Sequence, residues 1–208
     1  MLRTSLSAAA AEVARRDRVM AKLMKRIGPV RLPRPDTDHF AALAESILYQ
    51  QLAGAAAAAI HRRFMELFNG TLSPRAVLAL PPKKLRAAGL SGSKVASIRD
   101  LAAKVADGTV SFDRISRLSD EEIITRLSVV RGIGRWTAEM FLIFQLRRLD
   151  VWPVDDYGVR KGYSLAYGLR DLLTPKQLQV EGERFRPYRT VAAWYCWRAL
   201  HEQRRPPR

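Results

Sequence analysis

Apolar positions recur at helical spacing along almost the whole chain, and strand-like alternation is absent. Phe40, Leu43, Ile47 and Leu48 mark one helix face, with Thr37 as its predicted N-cap. An alanine-rich helix follows from Ala55 to Phe68, stopped by Asn69-Gly70. Ser73-Pro74 and Pro81-Pro82 read as helix starts, because a first-turn proline gives up no needed N–H. Val95, Ile98, Leu101, Ala102 and Val105 mark the next helix, which ends at Asp107-Gly108. Ser119 with Glu122 three residues on forms a capping box, opening a helix through Leu127. Further helices are predicted from Gly134 to about Arg148, after Asp156, after Thr174-Pro175-Lys176-Gln177, and from Pro187 to about Glu202.

The pattern predicts an all-α chain of about ten short helices. Pro and Gly punctuation near 28–36 sets off an N-terminal helical segment, 1–36, expected to pack with the C-terminal helices. A helical domain is expected over 37–150, and a loop with the C-terminal helices over 151–208.

The chain has 208 residues, 48% of them hydrophobic, so it can bury a core and is not a disordered basic tail. One cysteine excludes a disulfide framework and any four-cysteine zinc or iron–sulfur site. Three scattered histidines argue against a catalytic metal. No apolar run reaches the roughly 20 residues of a membrane span, and the charged N-terminus makes a poor secretion signal, so the cytoplasm is the expected compartment. Lys and Arg number 36 against 20 Asp and Glu, a net charge of +16. Such an excess on a folded chain points to a polyanion, with nucleic acid first.

One segment gives that charge a local partner. In Leu127-Ser128-Val129-Val130-Arg131-Gly132-Ile133-Gly134-Arg135-Trp136-Thr137-Ala138, a capped helix meets a Gly-Ile-Gly turn and a second helix leads out. The two glycines allow positive φ and close backbone approach. The N–H groups of residues 134–136 then stand at a helix start, which favours an anion. A DNA phosphate meets that demand, and Arg135 adds a charge beside it. Gly89-Leu90-Ser91-Gly92-Ser93-Lys94 also places glycines, a hydroxyl and a lysine at a helix start. From spacing alone it is equally an ordinary N-cap with a solvated lysine.

Beyond the hairpin comes Trp152-Pro153-Val154-Asp155-Asp156-Tyr157. An acid at a helix start is often simply an N-cap. A carboxylate facing DNA is repelled by phosphate unless it must meet a developing positive charge. Cleaving an N-glycosidic bond produces one, an oxocarbenium-like sugar that a carboxylate can stabilise. Electron-rich rings grip an extruded base by stacking. Trp136 follows the hairpin and Tyr157 follows Asp156, which gives those two rings a positional argument.

Ile47-Leu48-Tyr49-Gln50-Gln51-Leu52, Gly132-Ile133-Gly134-Arg135-Trp136-Thr137-Ala138 and Pro153-Val154-Asp155-Asp156-Tyr157 together resemble the helix-hairpin-helix DNA glycosylase superfamily. They look most like its alkylated-base branch, DNA-3-methyladenine glycosylase II. The resemblance covers residues 36–168, with a further match at 186–197. It implies an endonuclease III-like fold of two helical subdomains, with the helix-hairpin-helix at about 120–147. It also implies Asp156 as the catalytic carboxylate, since 156 − 136 = 20 matches the branch's interval from hairpin to acid. Bifunctional relatives carry a lysine where this chain has Trp136. Without that amine no Schiff base forms, so water is the implied nucleophile and no cofactor is required.

By the same resemblance Trp136, Tyr157, Trp197, Met140 and Tyr49 line the base pocket. Gln51 takes the wedge position, with Leu52 and Ala53 beside it in the minor groove. Gly132, Gly134, Arg135, Thr137, Gly92 and Lys94 fall at DNA-backbone positions. A structural sodium or potassium ion is implied on the main-chain carbonyls of Ser128, Val130 and Ile133. The implied partner is double-stranded DNA, bound by a monomer that touches no membrane and, in a bacterium, associates with the nucleoid.

The leading reading is therefore a monofunctional glycosylase excising alkylated, 3-methyladenine-like purines by base flipping. A non-enzymatic hairpin DNA-binding protein is a second reading, and release of free base discriminates the two. A glycosylase for mispaired or deaminated bases is a third, because one fold serves both substrates.

Overall fold

A computed structural model describes residues 4–52 and 54–203. Among them are twelve α-helices and no strand. In chain order they are α1 (Leu6–Arg16), α2 (Arg18–Ile27), α3 (His39–Tyr49), α4 (Gly54–Glu66), α5 (Pro74–Ala79) and α6 (Pro82–Ala87). Then come α7 (Gly92–Ala106), α8 (Asp120–Ser128), α9 (Arg135–Met140), α10 (Tyr157–Ala166), α11 (Pro175–Gly182) and α12 (Arg189–Gln203). The chain divides into two compact units, Met1–Arg34 with Arg147–Arg208, and Pro35–Leu146.

Local chemistry explains most helix starts. Ser119 and Thr174 close full capping boxes, and Pro74, Pro82 and Pro175 stand in first turns. Asp17 ends α1 and begins α2, its Oδ1 accepting the N–H groups of Val19 and Met20, both at 2.9 Å.

Some boundaries differ from the sequence pattern. The cap of α3 is Asp38, not Thr37, because the Asp38 carboxylate reaches the N–H groups of Phe40 (2.7 Å) and Ala41 (3.3 Å). The helix predicted from Gly134 to Arg148 ends early. After α9 the chain loosens into a π-helical stretch, Phe141–Gln145, where Leu146 N–H bonds back to Phe141 O. Gln145 there turns inward and bonds the main chain of Asp36, accepting its N–H at 3.0 Å and donating to its C=O at 2.8 Å. The last helix begins at Arg189, two residues after Pro187.

In the unit of Pro35–Leu146, α7 packs on α3, α5 and α6, and α8 packs on α9. Leu43, Ile47, Ile98, Leu101, Ile123 and Leu127 are buried there. In the other unit α1 packs on α2 and both meet α12, which also lies along α10. Met20, Tyr163, Leu178, Phe185, Tyr195 and Cys196 share that unit's core. The α10–α12 approach is very close, since a Cβ on Gly162 would overlap the carbonyl of Cys196. Gly162→Ala must push the two helices apart and is expected to cost about 3 kcal/mol. For a chain of this size that is a fall of about 6–12 °C in Tm, read by calorimetry.

Candidate functional site

The hairpin joins α8 to α9 within the unit of Pro35–Leu146. Ile133 N–H bonds to Val130 O at 3.0 Å and closes the turn. Gly132 has φ +78, and a Cβ there would lie 2.6 Å from Ser97 Oγ. Both facts demand glycine. Gly134 differs from the sequence reading. Its backbone is extended, with φ −95 and ψ −179, and open space lies where a Cβ would be. Its bareness leaves the start of α9 unobstructed instead of permitting a strained turn. Asp100 Oδ2 accepts Arg131 N–H at 2.7 Å and pairs with Lys104. Burial pushes the Asp100 carboxyl up, but the Lys104 ammonium and the Arg131 N–H overcome it and hold the group below its ordinary value.

Three side chains expected at DNA-backbone positions, Arg135, Thr137 and Lys94, have partners within the protein. Arg135 forms a two-pronged bridge to Glu121, at 3.0 and 2.6 Å, with Glu139 at 3.7 Å. The bridge to Glu121 ties the start of α9 to α8, and Glu139 lies one turn on in α9 itself. Thr137 is buried, since its place on the helix faces inward, and its Oγ1 accepts from Gln50 Nε2 at 3.1 Å. Lys94 is not the solvated lysine of an ordinary N-cap. Its Nζ donates to Ile47 O, Leu48 O and Gln50 O at 2.8, 2.9 and 2.7 Å. An ammonium has three donors, and all three serve carbonyls at the end of α3. Burial lowers the Lys94 ammonium from its ordinary value.

Beside the hairpin, α3 gives way to the loop that carries Gln51 and Leu52. Gln51 sits at φ +58, and both side chains are exposed. Ala53 lies outside the described residues. Gln50 Nε2 reaches Gly132 O at 2.9 Å as well as Thr137 Oγ1, joining this loop to the hairpin. Gln50, Ser97 and Asp100 were not singled out as site residues by the sequence. The signal available was the spacing of Lys94, Ser97 and Asp100 on one face of α7. Tyr49 meets His61 edge-on at 6.1 Å, Met140 is half-buried, and Trp136 is 41% exposed. Gly92 is exposed in the first turn of α7.

The acid lies in the other unit. Asp156 is the N-cap of α10. Its Oδ1 accepts Val159 N–H at 2.7 Å and the Trp197 indole N–H at 2.8 Å. Gly158 makes this possible, since a Cβ there would come within 2.8 Å of Trp197 Cδ1 and 3.0 Å of Asp156 Oδ1. Trp197 thus orients the carboxylate from 41 residues away, a role spacing does not reveal. Asp155 is exposed, and Tyr157 is 56% exposed. Other late aromatics hold the fold: Trp152, Trp194 and Tyr195 donate to the carbonyls of Leu178, Arg31 and Gly28.

Among the described residues no group of three or more His, Cys, Asp or Glu could hold a metal ion. Nor is any described helix long and apolar enough to cross a membrane. The family model described as HhH-GPD superfamily base excision DNA repair protein matches residues 44–187. DNA-3-methyladenine glycosylase 1 of Schizosaccharomyces pombe is 35% identical over 200 residues, covering 94% of this chain and 88% of that relative. A solved structure of S. pombe 3-methyladenine DNA glycosylase in complex with abasic DNA aligns with TM-score 0.84 and 34% identity, covering 91% of this chain and 95% of that one. DNA-3-methyladenine glycosidase from Bacillus halodurans aligns with TM-score 0.83 and 34% identity, covering 93% and 89%. Hairpin, acid and these matches together lead to one assignment: the chain belongs to the HhH-GPD superfamily of base excision DNA repair proteins.

Proposed function

We propose that this chain is a monofunctional DNA glycosylase that hydrolyses the N-glycosidic bond of alkylated purines, of the 3-methyladenine kind, in double-stranded DNA. The observation that carries the reading is Asp156, a carboxylate fixed through one oxygen by a helix N–H and an indole N–H. A group so held keeps its position as charge develops, which is what stabilising an oxocarbenium-like sugar requires. The names of the similar proteins support the alkylated-base choice.

In the reaction the C1′–N bond breaks and its electron pair leaves with the base. Water then bonds to C1′ and gives up a proton, so the products are free base and an abasic site on an intact strand. Asp156 stabilises the cationic sugar and orients or accepts the proton from that water. Position 136 is Trp, so no amine is available there for a Schiff base and the strand stays uncut. The exposed rings of Trp136 and Tyr157 are offered to the extruded base. An alkylated purine is cationic, so such rings attract it, and its weakened bond needs modest assistance.

Main-chain N–H groups around Gly132 and Gly134 take the phosphate in this reading, with Gln51 and Leu52 entering the minor groove. The carbonyls of Ser128, Val130 and Ile133 fit a sodium or potassium ion in donor type. Val130 O already accepts Ile133 N–H, and a carbonyl keeps a second lone pair. Such an ion would add positive charge beneath the phosphate. Water is the nucleophile, so the chemistry itself requires no cofactor. The cytoplasm is the compartment this reading gives.

A panel of duplexes carrying single lesions tests the substrate, with release of free 3-methyladenine as the expected positive result. Asp156→Asn is expected to keep DNA affinity and to lower single-turnover base release about a hundredfold or more. Normal turnover in that variant sinks the assignment. Trp197→Phe keeps a ring but removes the N–H on Oδ1. It is expected to lower kcat about tenfold with little change in KM, whereas a purely stacking role for Trp197 would leave kcat intact. DNA affinity is expected to fall steeply with salt. Because Arg135 is bridged to Glu121, Arg135→Met is expected to change the slope of log K against log salt by well under the roughly one unit of a lost phosphate contact.

A further inference from the structure

We propose that Lys94 is a positioning residue that couples the wedge loop to the hairpin. The proposal rests on the glycosylase reading only in calling Gln51 a wedge. The contacts that carry it stand in one unit and form one connected path.

A helix ends with carbonyls that have no intrahelical partner, and a cation there is favourable. At the end of α3 the Lys94 ammonium takes three of them, Ile47 O, Leu48 O and Gln50 O. The residue after Gln50 turns into the left-handed region, at φ +58, and is the wedge itself. The direction in which Gln51 leaves the helix is therefore set next to a carbonyl that Lys94 holds. The path continues through the side chain of Gln50, whose Nε2 gives its two hydrogens to Gly132 O and Thr137 Oγ1. On the same face of α7, Ser97 lies under Gly132 and Asp100 holds Arg131 N–H. One helix thus supports both loops, the wedge through its first turn and the hairpin one and two turns later. A rigid support of this kind lets phosphate grip and wedge insertion occur in one register.

The competing role for Lys94 is a phosphate contact, and the two roles have separable signatures. Lys94→Met keeps the aliphatic stem and removes the ammonium. The probe is a duplex with a tetrahydrofuran abasic site and 2-aminopurine opposite it, whose fluorescence rises when a wedge unstacks the strand. Lys94→Met is expected to lose most of that rise and to slow single-turnover base release about tenfold or more. Its affinity for undamaged duplex, and the salt slope of that affinity, are expected to match the parent protein. A slope smaller by about one unit with an intact fluorescence rise would make Lys94 a phosphate contact and overturn the proposal.

Gln50→Ala supplies a second route, since it breaks the path without uncapping α3. It is expected to lose the fluorescence rise while Tm stays near that of the parent. If both residues act through one path, the double variant is no worse than Lys94→Met alone, and additive losses overturn the coupling. The abasic probe needs no excision. A parent protein that gives the fluorescence rise but releases no alkylated base therefore defeats the substrate reading and leaves this inference standing. A parent protein that gives no rise defeats this inference.

Discussion

Short helices have many ends, and each C-terminal end leaves main-chain carbonyls without intrahelical partners. Leaving one buried and unpaired costs about 1–3 kcal/mol. In this chain cations meet much of that demand. Lys94 holds the end of α3, Arg63 reaches Ala88 O, and Arg99 reaches Leu80 O. Loop carbonyls are held in the same way, Ser111 O by Arg126 and, in the other unit, Leu173 O by Arg160. Part of the +16 charge therefore also has a structural role.

Carboxylates solve the opposite problem at helix starts. Asp17, Asp38 and Asp156 each accept N–H groups of a first turn. Asp156 adds a donor of another kind. An indole N–H from the distant α12 reaches the same oxygen, and two glycines of α10 let that helix come close enough. A carboxylate that caps a helix and is also braced from a second helix has little freedom to reorient, which is the property an electrostatic catalyst needs.

Features that depend on neighbours in sequence are legible in the chain itself. The capping boxes at Ser119 and Thr174 involve partners three residues apart, and both form as the sequence predicts. Asp156 as a helix start follows from the same local chemistry. What the sequence leaves open shares one cause. Whether Thr137 faces inward, whether Arg135 finds an acid, and whether the Lys94 ammonium meets carbonyls or water all depend on a second element. The run after Gly134 has helical spacing, but Gln145 is drawn to the main chain of Asp36, 109 residues away, where the regular α-helix has already given way.

The sequence by itself determined the helical class, the hairpin, the acid and the excess of positive charge. Each follows from residue type and from spacing within a few positions, where propensity and capping are decided. Only the tertiary structure decided which charges are available and which are already held. It committed Lys94 and Arg135 to internal partners, showed Gly132 but not Gly134 to need positive φ, and brought Trp197 to Asp156. Charge, burial and orientation are properties of pairs of elements, and the pairing is made by packing.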